Sequence, residues 1–104
     1  VLKLVAQALV REARAIDLVA KYGGDEFVII LPQTPREGAC VLAERINQAV
    51  EQKPFPLVDA GVITISVGVA TFPENGSTAG ELLEAADMAL YAAKQSGKNQ
   101  VATA

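Results

Sequence analysis

The stretch that decides the fold lies between two apolar runs and reads Tyr22-Gly23-Gly24-Asp25-Glu26-Phe27. The runs beside it, residues 18–22 and 27–31, are short and rich in β-branched and aromatic residues, so we predict a strand for each. A Gly-Gly pair between two strands predicts a two-residue turn, because both central positions of the favoured hairpin turn need a positive φ. The sequence thus predicts an antiparallel hairpin with two carboxylates directly after its turn.

These two carboxylates are expected to point to opposite faces of the hairpin. A two-residue turn places Lys21 opposite Glu26, where an exposed ion pair would contribute less than ~1 kcal/mol. Asp25 then shares a face with Phe27 and Ile29, which makes it the better candidate for a metal ligand. One carboxylate does not complete a Mg²⁺ site, which usually takes one or two carboxylates together with phosphate oxygens and water. From these residues alone, a plain polar hairpin tip is an equally good interpretation.

Three helices and a further strand are predicted on either side of the hairpin. Apolar residues at helical spacing predict helices over about 1–15, 35–52 and 79–96. Strict alternation of apolar residues over 62–72 predicts a half-buried strand. The predicted order is therefore helix, hairpin, helix, strand, helix.

Local signals mark the ends of two of these helices. Thr34 and Glu37 have the spacing of a capping box, and Thr78 and Glu81 repeat it before the last helix. Gly97 is placed to end that last helix, because glycine readily takes the left-handed conformation that follows a helix C-terminus.

The composition excludes several classes of protein. The 104 residues carry a net charge of −3, so a nucleic-acid surface, which is normally basic, is not expected. The absence of histidine excludes His-based catalysis and the common catalytic zinc sites. The single cysteine, Cys40, rules out a disulfide framework and fits a reducing cytoplasm. No apolar run approaches the ~20 residues that span a bilayer.

Two pairs of charged residues have candidate roles. Arg14 and Asp17 lie between the first helix and the first strand, and their spacing alone favours a local salt bridge. Lys94 and Lys98 flank the end of the last helix, where cations interact favourably with the helix dipole by up to ~1 kcal/mol. Taken by itself, each pair has a sufficient structural explanation.

Four ordered segments together resemble the GGDEF family, the bacterial diguanylate cyclases. Residues 23–27 are the signature that gives the family its name. Residues 14–17, Arg-Ala-Ile-Asp, resemble the family's RxxD inhibitory site at its usual distance from the glycines. Residues 63–70 and 86–99 are similar to a later strand of the family and to its last helix with the following turn. The resemblance covers nearly the whole chain.

The resemblance and the order of elements imply an α+β fold of the palm-like type, similar to ferredoxin and nucleotidyl-cyclase folds, with helices on an antiparallel sheet. In such folds a first strand joins the hairpin to the later strand, and this sequence has no candidate for it. The first helix also begins without a cap. We therefore expect residues 1–104 to be part of one GGDEF domain, truncated at the N-terminus by a third or more.

The resemblance implies that the complete domain condenses two GTP molecules into cyclic di-GMP and releases pyrophosphate, with Mg²⁺ or Mn²⁺ as cofactor. Each domain of an antiparallel homodimer would hold one GTP. Asp25 would be the metal ligand, with Glu26 as a supporting catalytic residue. The substrate-binding residues implied by the motifs are Gly23 and Gly24 beside the nucleotide, and Lys94 and Lys98 at its terminal phosphates.

The family's inhibitory site implies a second ligand position. Arg14 would bind the phosphate and guanine edges of cyclic di-GMP with support from Asp17, since a guanidinium makes bidentate contacts that an ammonium cannot. Arg45 is a candidate for a further contact from a partner domain. The resemblance also implies an upstream sensory domain and a cytoplasmic location for this domain, even in a membrane-anchored parent protein.

One departure from the family limits the expected activity. The family's other metal-binding aspartate, its phosphate loop and its guanine-reading residues have no counterpart in this sequence. We therefore expect residues 1–104 alone neither to cyclise GTP nor to select guanine. The alternative is a non-catalytic receptor that binds cyclic di-GMP at Arg14 and Asp17, although a receptor would not need Asp25. A third interpretation is an inert fragment that exchanges strands with a neighbour.

Overall fold

The structure, a computed structural model, describes residues 2–56 and 58–104. Its architecture is α+β, as the sequence predicted. The predicted helix start at Val1 lies outside the described residues, and the first helix ends three residues earlier than expected. In chain order the elements are α1 (Leu2–Glu12), β1 (Leu18–Lys21), β2 (Phe27–Ile30), α2 (Arg36–Gln52), β3 (Val67–Val69), α3 (Ala79–Gln95) and β4 (Val101–Thr103).

The described strands form two separate pairs. β1 and β2 are antiparallel, whereas β3 and β4 are parallel. The predicted strand over 62–72 was wrong in extent, and β4 was not predicted. β4 is only three residues long, so it pairs only Val67 to Val69. Ile63 and Ile65 pack against the core without strand pairing. The alternation of apolar residues over 62–72 therefore indicated which side chains face the core and did not indicate how long the strand is.

The hairpin turn differs from the predicted one by a single residue. The Tyr22 N–H donates to the Glu26 carbonyl over 2.8 Å, and Lys21 pairs with Phe27 rather than with Glu26. The loop therefore has three residues, the two glycines and Asp25, and neither glycine has a positive φ. Because a one-residue change in register exchanges faces, the predicted ion pair between Lys21 and Glu26 does not form.

The main hydrophobic core lies between α1, α2 and one face of the hairpin. Val50 is fully buried at its centre. Phe27 and Ile29 of β2 and Val19 of β1 pack against this core, so the hairpin rests on the two helices with its loop at the edge of the domain. Burial of each large aliphatic side chain contributes about 1.5–3 kcal/mol. The buried residues of the cluster are Val5, Ala8, Leu9, Leu42, Ile46, Val50 and Phe55.

α3 packs directly on β3 through a glycine. A Cβ atom at Gly68 would lie 2.2 Å from the Ala86 carbonyl oxygen and 2.4 Å from the Leu90 nitrogen. Both are backbone atoms of α3, which cannot move away as a flexible side chain would. The absence of a side chain at Gly68 therefore determines how near α3 lies to the sheet.

The two Thr-x-x-Glu segments have different outcomes. Before α3, the Thr78 hydroxyl accepts a hydrogen bond from the Glu81 N–H over 3.1 Å, as a capping box requires. The Glu81 carboxylate binds the N–H and hydroxyl of Ser77 rather than the Thr78 N–H, and the Ser77 N–H lowers the pKa of Glu81. Before α2, the prediction of a capping box was wrong. Pro35 occupies the cap position, and the Thr34 hydroxyl donates to the Pro32 carbonyl instead.

Loss of the cap at α3 should destabilise the domain. Thr78→Ala leaves the Glu81 N–H without its partner, so we expect the free energy of unfolding to fall by about 1 kcal/mol. Thr78→Ser is the matched control because it retains the hydroxyl. Its free energy of unfolding should fall by only a few tenths of a kcal/mol. Urea denaturation measures both. Equal losses for the two variants would show that the hydroxyl is not the stabilising group.

Within the described ranges, no helix is both long enough and apolar enough to cross a membrane.

Candidate functional site

The hairpin loop presents an open surface at the edge of the domain. Asp25 is exposed, and among the described residues its carboxylate makes no hydrogen bond or ion pair. A Cβ atom placed on Gly24 would meet nothing within 4 Å, and one on Gly23 would lie 3.6 Å from the Glu26 carboxylate. The two glycines therefore leave room beside Asp25 that side chains would otherwise occupy.

Glu26 connects this loop to the last helix. Its Oε2 lies 4.0 Å from Nζ of Lys94, and both side chains are partly exposed. Such a pair contributes little to stability, roughly 0–1 kcal/mol. Its importance is positional, because it brings together two sequence motifs that are far apart in the chain. One cation expected to bind phosphate thus lies beside the Glu26 carboxylate, which directly follows the loop.

Lys98 lies just beyond the end of the same helix. Gly97 has a φ of 115°, as predicted for the residue that ends α3. The Lys98 N–H then donates to the Ala93 carbonyl over 3.0 Å, which is the bond that closes a Schellman motif. Lys98 itself is exposed and also left-handed, with a φ of 62°. Lys94 and Lys98 are therefore both at the C-terminal end of α3, where the helix dipole attracts cations.

Arg14 and Asp17 form a forked ion pair between α1 and β1. The Arg14 Nη2 lies 2.9 Å from Asp17 Oδ1, and Arg14 Nε donates to both carboxylate oxygens. The Arg14 N–H adds a bond of 2.7 Å to Oδ2. Across the β2–α2 loop, the Thr34 hydroxyl accepts from Arg14 Nη2 over 2.6 Å. The local salt bridge that spacing alone favoured is present, and it also holds the guanidinium in one orientation.

This pairing changes the titration of both groups. Hydrogen bonds from Arg14 hold the pKa of Asp17 below its usual range, and the same contact raises the pKa of Arg14. A lowered carboxyl pKa stabilises the fold above the ordinary aspartate pKa, and that contribution is lost as the pH falls through the lowered value. The pair thus remains ionised at neutral and mildly acidic pH.

Arg45 has a structural contact that the sequence did not indicate. Its Nε donates to Glu12 Oε1 over 3.0 Å, and its Nη2 donates to the Glu12 carbonyl over 2.9 Å. Since Glu12 is the last residue of α1, the guanidinium binds the C-terminus of that helix and ties it to α2. The contact with cyclic di-GMP suggested for Arg45 remains a prediction.

A polar network that sequence reasoning missed lies behind the end of α3. Asn47, on the inward face of α2, is 6% exposed and donates to the Ile65 carbonyl over 2.9 Å. It also donates to Oδ1 of Asn99 over 3.3 Å, and Asn99 donates in turn to Glu51. The Ser66 hydroxyl accepts from the Asn99 N–H. An asparagine within an apolar stripe was the signal available in the sequence.

The carboxylates present fit one part of a divalent metal site. In the part of the chain that the structure describes, no three His, Cys, Asp or Glu residues cluster closely enough to enclose an ion. Asp25, with Glu26 next to it, offers one or two carboxylates. Mg²⁺ is usually bound by that number, together with substrate phosphates and water. The fit is therefore to a metal that arrives with a phosphorylated substrate.

Comparison with known proteins identifies the family. The sequence model of the protein family described as "Diguanylate cyclase, GGDEF domain" matches residues 1–100. The chain belongs to the GGDEF family. Response regulator PleD of Caulobacter vibrioides is 42% identical over 104 aligned positions, which cover 97% of this chain and 23% of PleD. The chain thus spans about a quarter of the length of that relative.

Solved structures agree with this assignment. The GGDEF domain of YfiN (TpbB) from Pseudomonas aeruginosa matches with a TM-score of 0.86 and 35% identity, covering 99% of this chain and 65% of that one. The coiled coil and GGDEF domain of DgcB from Caulobacter crescentus, in complex with cyclic di-GMP, matches with a TM-score of 0.86 and 30% identity over 99% of this chain and 56% of that one. GGDEF domains bind GTP and cyclic di-GMP and occur in multidomain proteins, and diguanylate cyclases generally use a divalent metal.

Proposed function

We propose that the full-length protein uses this GGDEF domain to condense two molecules of GTP into cyclic di-GMP. In each half-reaction the 3′-hydroxyl oxygen of one GTP forms a bond to the α-phosphorus of the other. The bond from that phosphorus to the bridging oxygen breaks, and pyrophosphate leaves while the hydroxyl proton is released. The observation that supports the proposal is the 4.0 Å contact between Glu26 and Lys94, which brings the Gly-Gly-Asp-Glu segment next to the lysine that we propose as a phosphate ligand.

The residues of this chain would have two kinds of role: they would position the nucleotide, and they would neutralise the charge of its phosphates. Gly23 and Gly24 leave space for the nucleotide, and Asp25 would hold Mg²⁺ or Mn²⁺, with Glu26 in support. A bound divalent ion supplies charge neutralisation and alignment in phosphoryl transfer. Lys94, which contacts Glu26 in this structure, would contact the terminal phosphates of GTP when the nucleotide is bound. The second of the two α3 lysines, Lys98, would bind the same phosphates.

The proposal includes a second copy of the domain. Each copy would hold one GTP, and two copies facing each other in antiparallel orientation would bring each 3′-hydroxyl to the α-phosphate of the other nucleotide. A homodimer of the domain is therefore the proposed active form. Control by another domain of the same protein and a cytoplasmic location are part of the same proposal.

Residues 1–104 alone are expected to be inactive. Among the described residues, no third metal-ligating side chain joins Asp25 and Glu26 in a cluster that could hold a metal ion. The test is incubation of the full-length protein with GTP and Mg²⁺, with cyclic di-GMP and pyrophosphate quantified by mass spectrometry. We expect two pyrophosphates for each cyclic di-GMP. Cyclic di-GMP formation by residues 1–104 alone would contradict the expectation for this chain.

The geometry of Arg14 favours binding of cyclic di-GMP as well, either as a product inhibitor of the cyclase or in a receptor without catalysis. The Arg14 guanidinium is held by Asp17 and Thr34 and remains about half exposed, at 46%. A guanidinium fixed in this way loses little conformational freedom when it binds a phosphate or a guanine edge.

Arg14→Lys tests this second site. Lysine keeps the charge but loses the bidentate fork, so we expect the affinity for cyclic di-GMP to fall about tenfold or more. Isothermal titration calorimetry with the full-length protein measures it. Arg11→Lys, in the last turn of α1, is the control and should bind as the wild type does. Unchanged affinity in Arg14→Lys would remove Arg14 from the ligand site.

A further inference from the structure

Three consecutive residues after α3 have a left-handed backbone. The φ values are 115° for Gly97, 62° for Lys98 and 49° for Asn99. Glycine adopts this conformation freely and asparagine more readily than most residues, whereas lysine does so at a cost in free energy. Non-glycine outliers persist only where the surrounding structure determines them, and they cluster at functional sites. The conformation of Lys98 and Asn99 therefore needs a specific cause.

The cause lies in the hydrogen bonds of Asn99. Its backbone N–H donates to the Ser66 hydroxyl over 3.2 Å, and its side-chain amide donates to Glu51. Its side-chain oxygen accepts from Asn47 over 3.3 Å, and Asn47 is itself fixed by the Ile65 carbonyl. Asn99 is thus bound to α2 and to the segment before β3 at three separate atoms.

This network holds the residue next to Lys98 without contacting the Lys98 side chain. Lys98 is anchored through its own N–H, which donates to the Ala93 carbonyl, and its ammonium group is exposed. The backbone of Lys98 is therefore fixed from both sides, by α3 before it and by Asn99 after it. A lysine alone carries much rotamer freedom, so a fixed backbone reduces what it must lose on binding phosphate.

We propose that Asn99, braced by Asn47 and Glu51, is a positioning residue that holds Lys98 where it binds the terminal phosphates of GTP. The inference rests on the proposed function, because it needs Lys98 to be a phosphate ligand. It goes further by assigning a role in substrate binding to three residues that do not touch the substrate. A purely structural network would stabilise the domain without distinguishing one nucleotide from another.

The experiment compares two ligands that cannot react. 3′-deoxy-GTP lacks the attacking hydroxyl, and 3′-deoxyguanosine 5′-monophosphate lacks the terminal phosphates as well. Affinities are measured by calorimetry in the full-length protein for the wild type, Lys98→Ala, Asn99→Gly and the double variant. Asn99→Gly retains the left-handed backbone and removes only the side chain. Gln48→Ala, exposed beside Asn47 on α2, is the matched control.

We expect Lys98→Ala to weaken binding of 3′-deoxy-GTP roughly tenfold, as for the loss of a hydrogen bond to a charged group. Asn99→Gly should weaken it several-fold, and the double variant should bind no worse than Lys98→Ala, because the two residues act through one contact. Binding of the monophosphate should change less than about twofold in every variant. Gln48→Ala should leave both affinities unchanged.

Two outcomes would overturn the proposal, and they differ from the failure of the proposed function. Equal losses for the two nucleotides in Asn99→Gly would show a general structural role, as would additive losses in the double variant. An unchanged triphosphate affinity in Lys98→Ala would instead show that Lys98 is not a phosphate ligand. Glu51→Ala gives a second route if Asn99→Gly does not fold. Glu51→Ala should weaken binding of 3′-deoxy-GTP and leave binding of the monophosphate nearly unchanged. Glu51→Gln keeps an acceptor oxygen, so it should bind 3′-deoxy-GTP as the wild type does.

Discussion

Asp25→Ala in the full-length protein is expected to lower the rate of cyclic di-GMP formation by roughly 10²–10³-fold, the scale seen when one preorganised charge-stabilising contact is removed. Asp25 is the exposed carboxylate of the Gly-Gly-Asp loop, and no described residue pairs with it. Its removal takes away the proposed metal ligand and leaves the packing intact. The free energy of unfolding should therefore change by no more than about 0.5 kcal/mol.

The same variant separates a cyclase from a receptor. Cyclic di-GMP should still bind Asp25→Ala with wild-type affinity, because the Arg14 fork is made by other residues. Asp59→Ala, an exposed aspartate outside both sites, serves as the control and should retain full activity. Wild-type activity in Asp25→Ala would contradict the assignment of Asp25. Absence of activity in the wild-type protein, with cyclic di-GMP binding retained, would favour the receptor.

Gly68→Ala is expected to cause the largest loss of stability. The added Cβ would lie 2.2 Å and 2.4 Å from backbone atoms of α3, so the helix would have to move away from β3. Overpacking of this kind costs about 1–3 kcal/mol and sometimes more, and with backbone on both sides we expect the upper end, about 3 kcal/mol. That is a large part of the roughly 5–15 kcal/mol that stabilises a domain.

A second glycine provides the control for Gly68. Gly80 lies in the first turn of α3, where an added Cβ would meet nothing within 4 Å and φ is not positive. Gly80→Ala should therefore stabilise the domain by up to about 1 kcal/mol through helix propensity. Urea denaturation of both variants gives the comparison. A neutral Gly68→Ala would mean that α3 does not lie as close to β3 as described.

The secondary structure was largely predictable because its signals are local. Apolar residues at helical spacing identified α2 and α3 and most of α1. The turn was not predictable in detail, since two glycines can close a loop of two or three residues and only the paired strands select the register. The prediction of a strand over 62–72 was wrong in extent for a related reason. The length of β3 depends on its partner β4, a three-residue strand near the other end of the chain.

Identical local patterns also had different results where tertiary contacts intervened. Thr78 caps α3, whereas Thr34, with the same spacing to a glutamate, binds the Pro32 carbonyl and Arg14 instead. The sequence contained no indication that the Thr34 hydroxyl would be needed elsewhere. A capping box is therefore reliable only where nothing else competes for the hydroxyl.

Sequence motifs nominated the residues of the candidate site, whereas the distances between them could not be predicted. Resemblance to the family marked Asp25, Lys94 and Arg14, but no local pattern shows that Glu26 lies 4.0 Å from Lys94. The bracing of Lys98 was missed because Asn99 depends on Asn47, a polar residue on an otherwise apolar helix face. Such contacts join distant segments, and they become visible only when the chain is folded.

The most direct test is a crystal structure of the full-length protein with 3′-deoxy-GTP and Mn²⁺, whose anomalous scattering locates the metal. We expect a metal peak at the Asp25 carboxylate, within about 2.5 Å of an oxygen, and the terminal phosphates at Lys94 and Lys98. A nucleotide bound only at Arg14, with no metal at Asp25, would contradict the proposed active site.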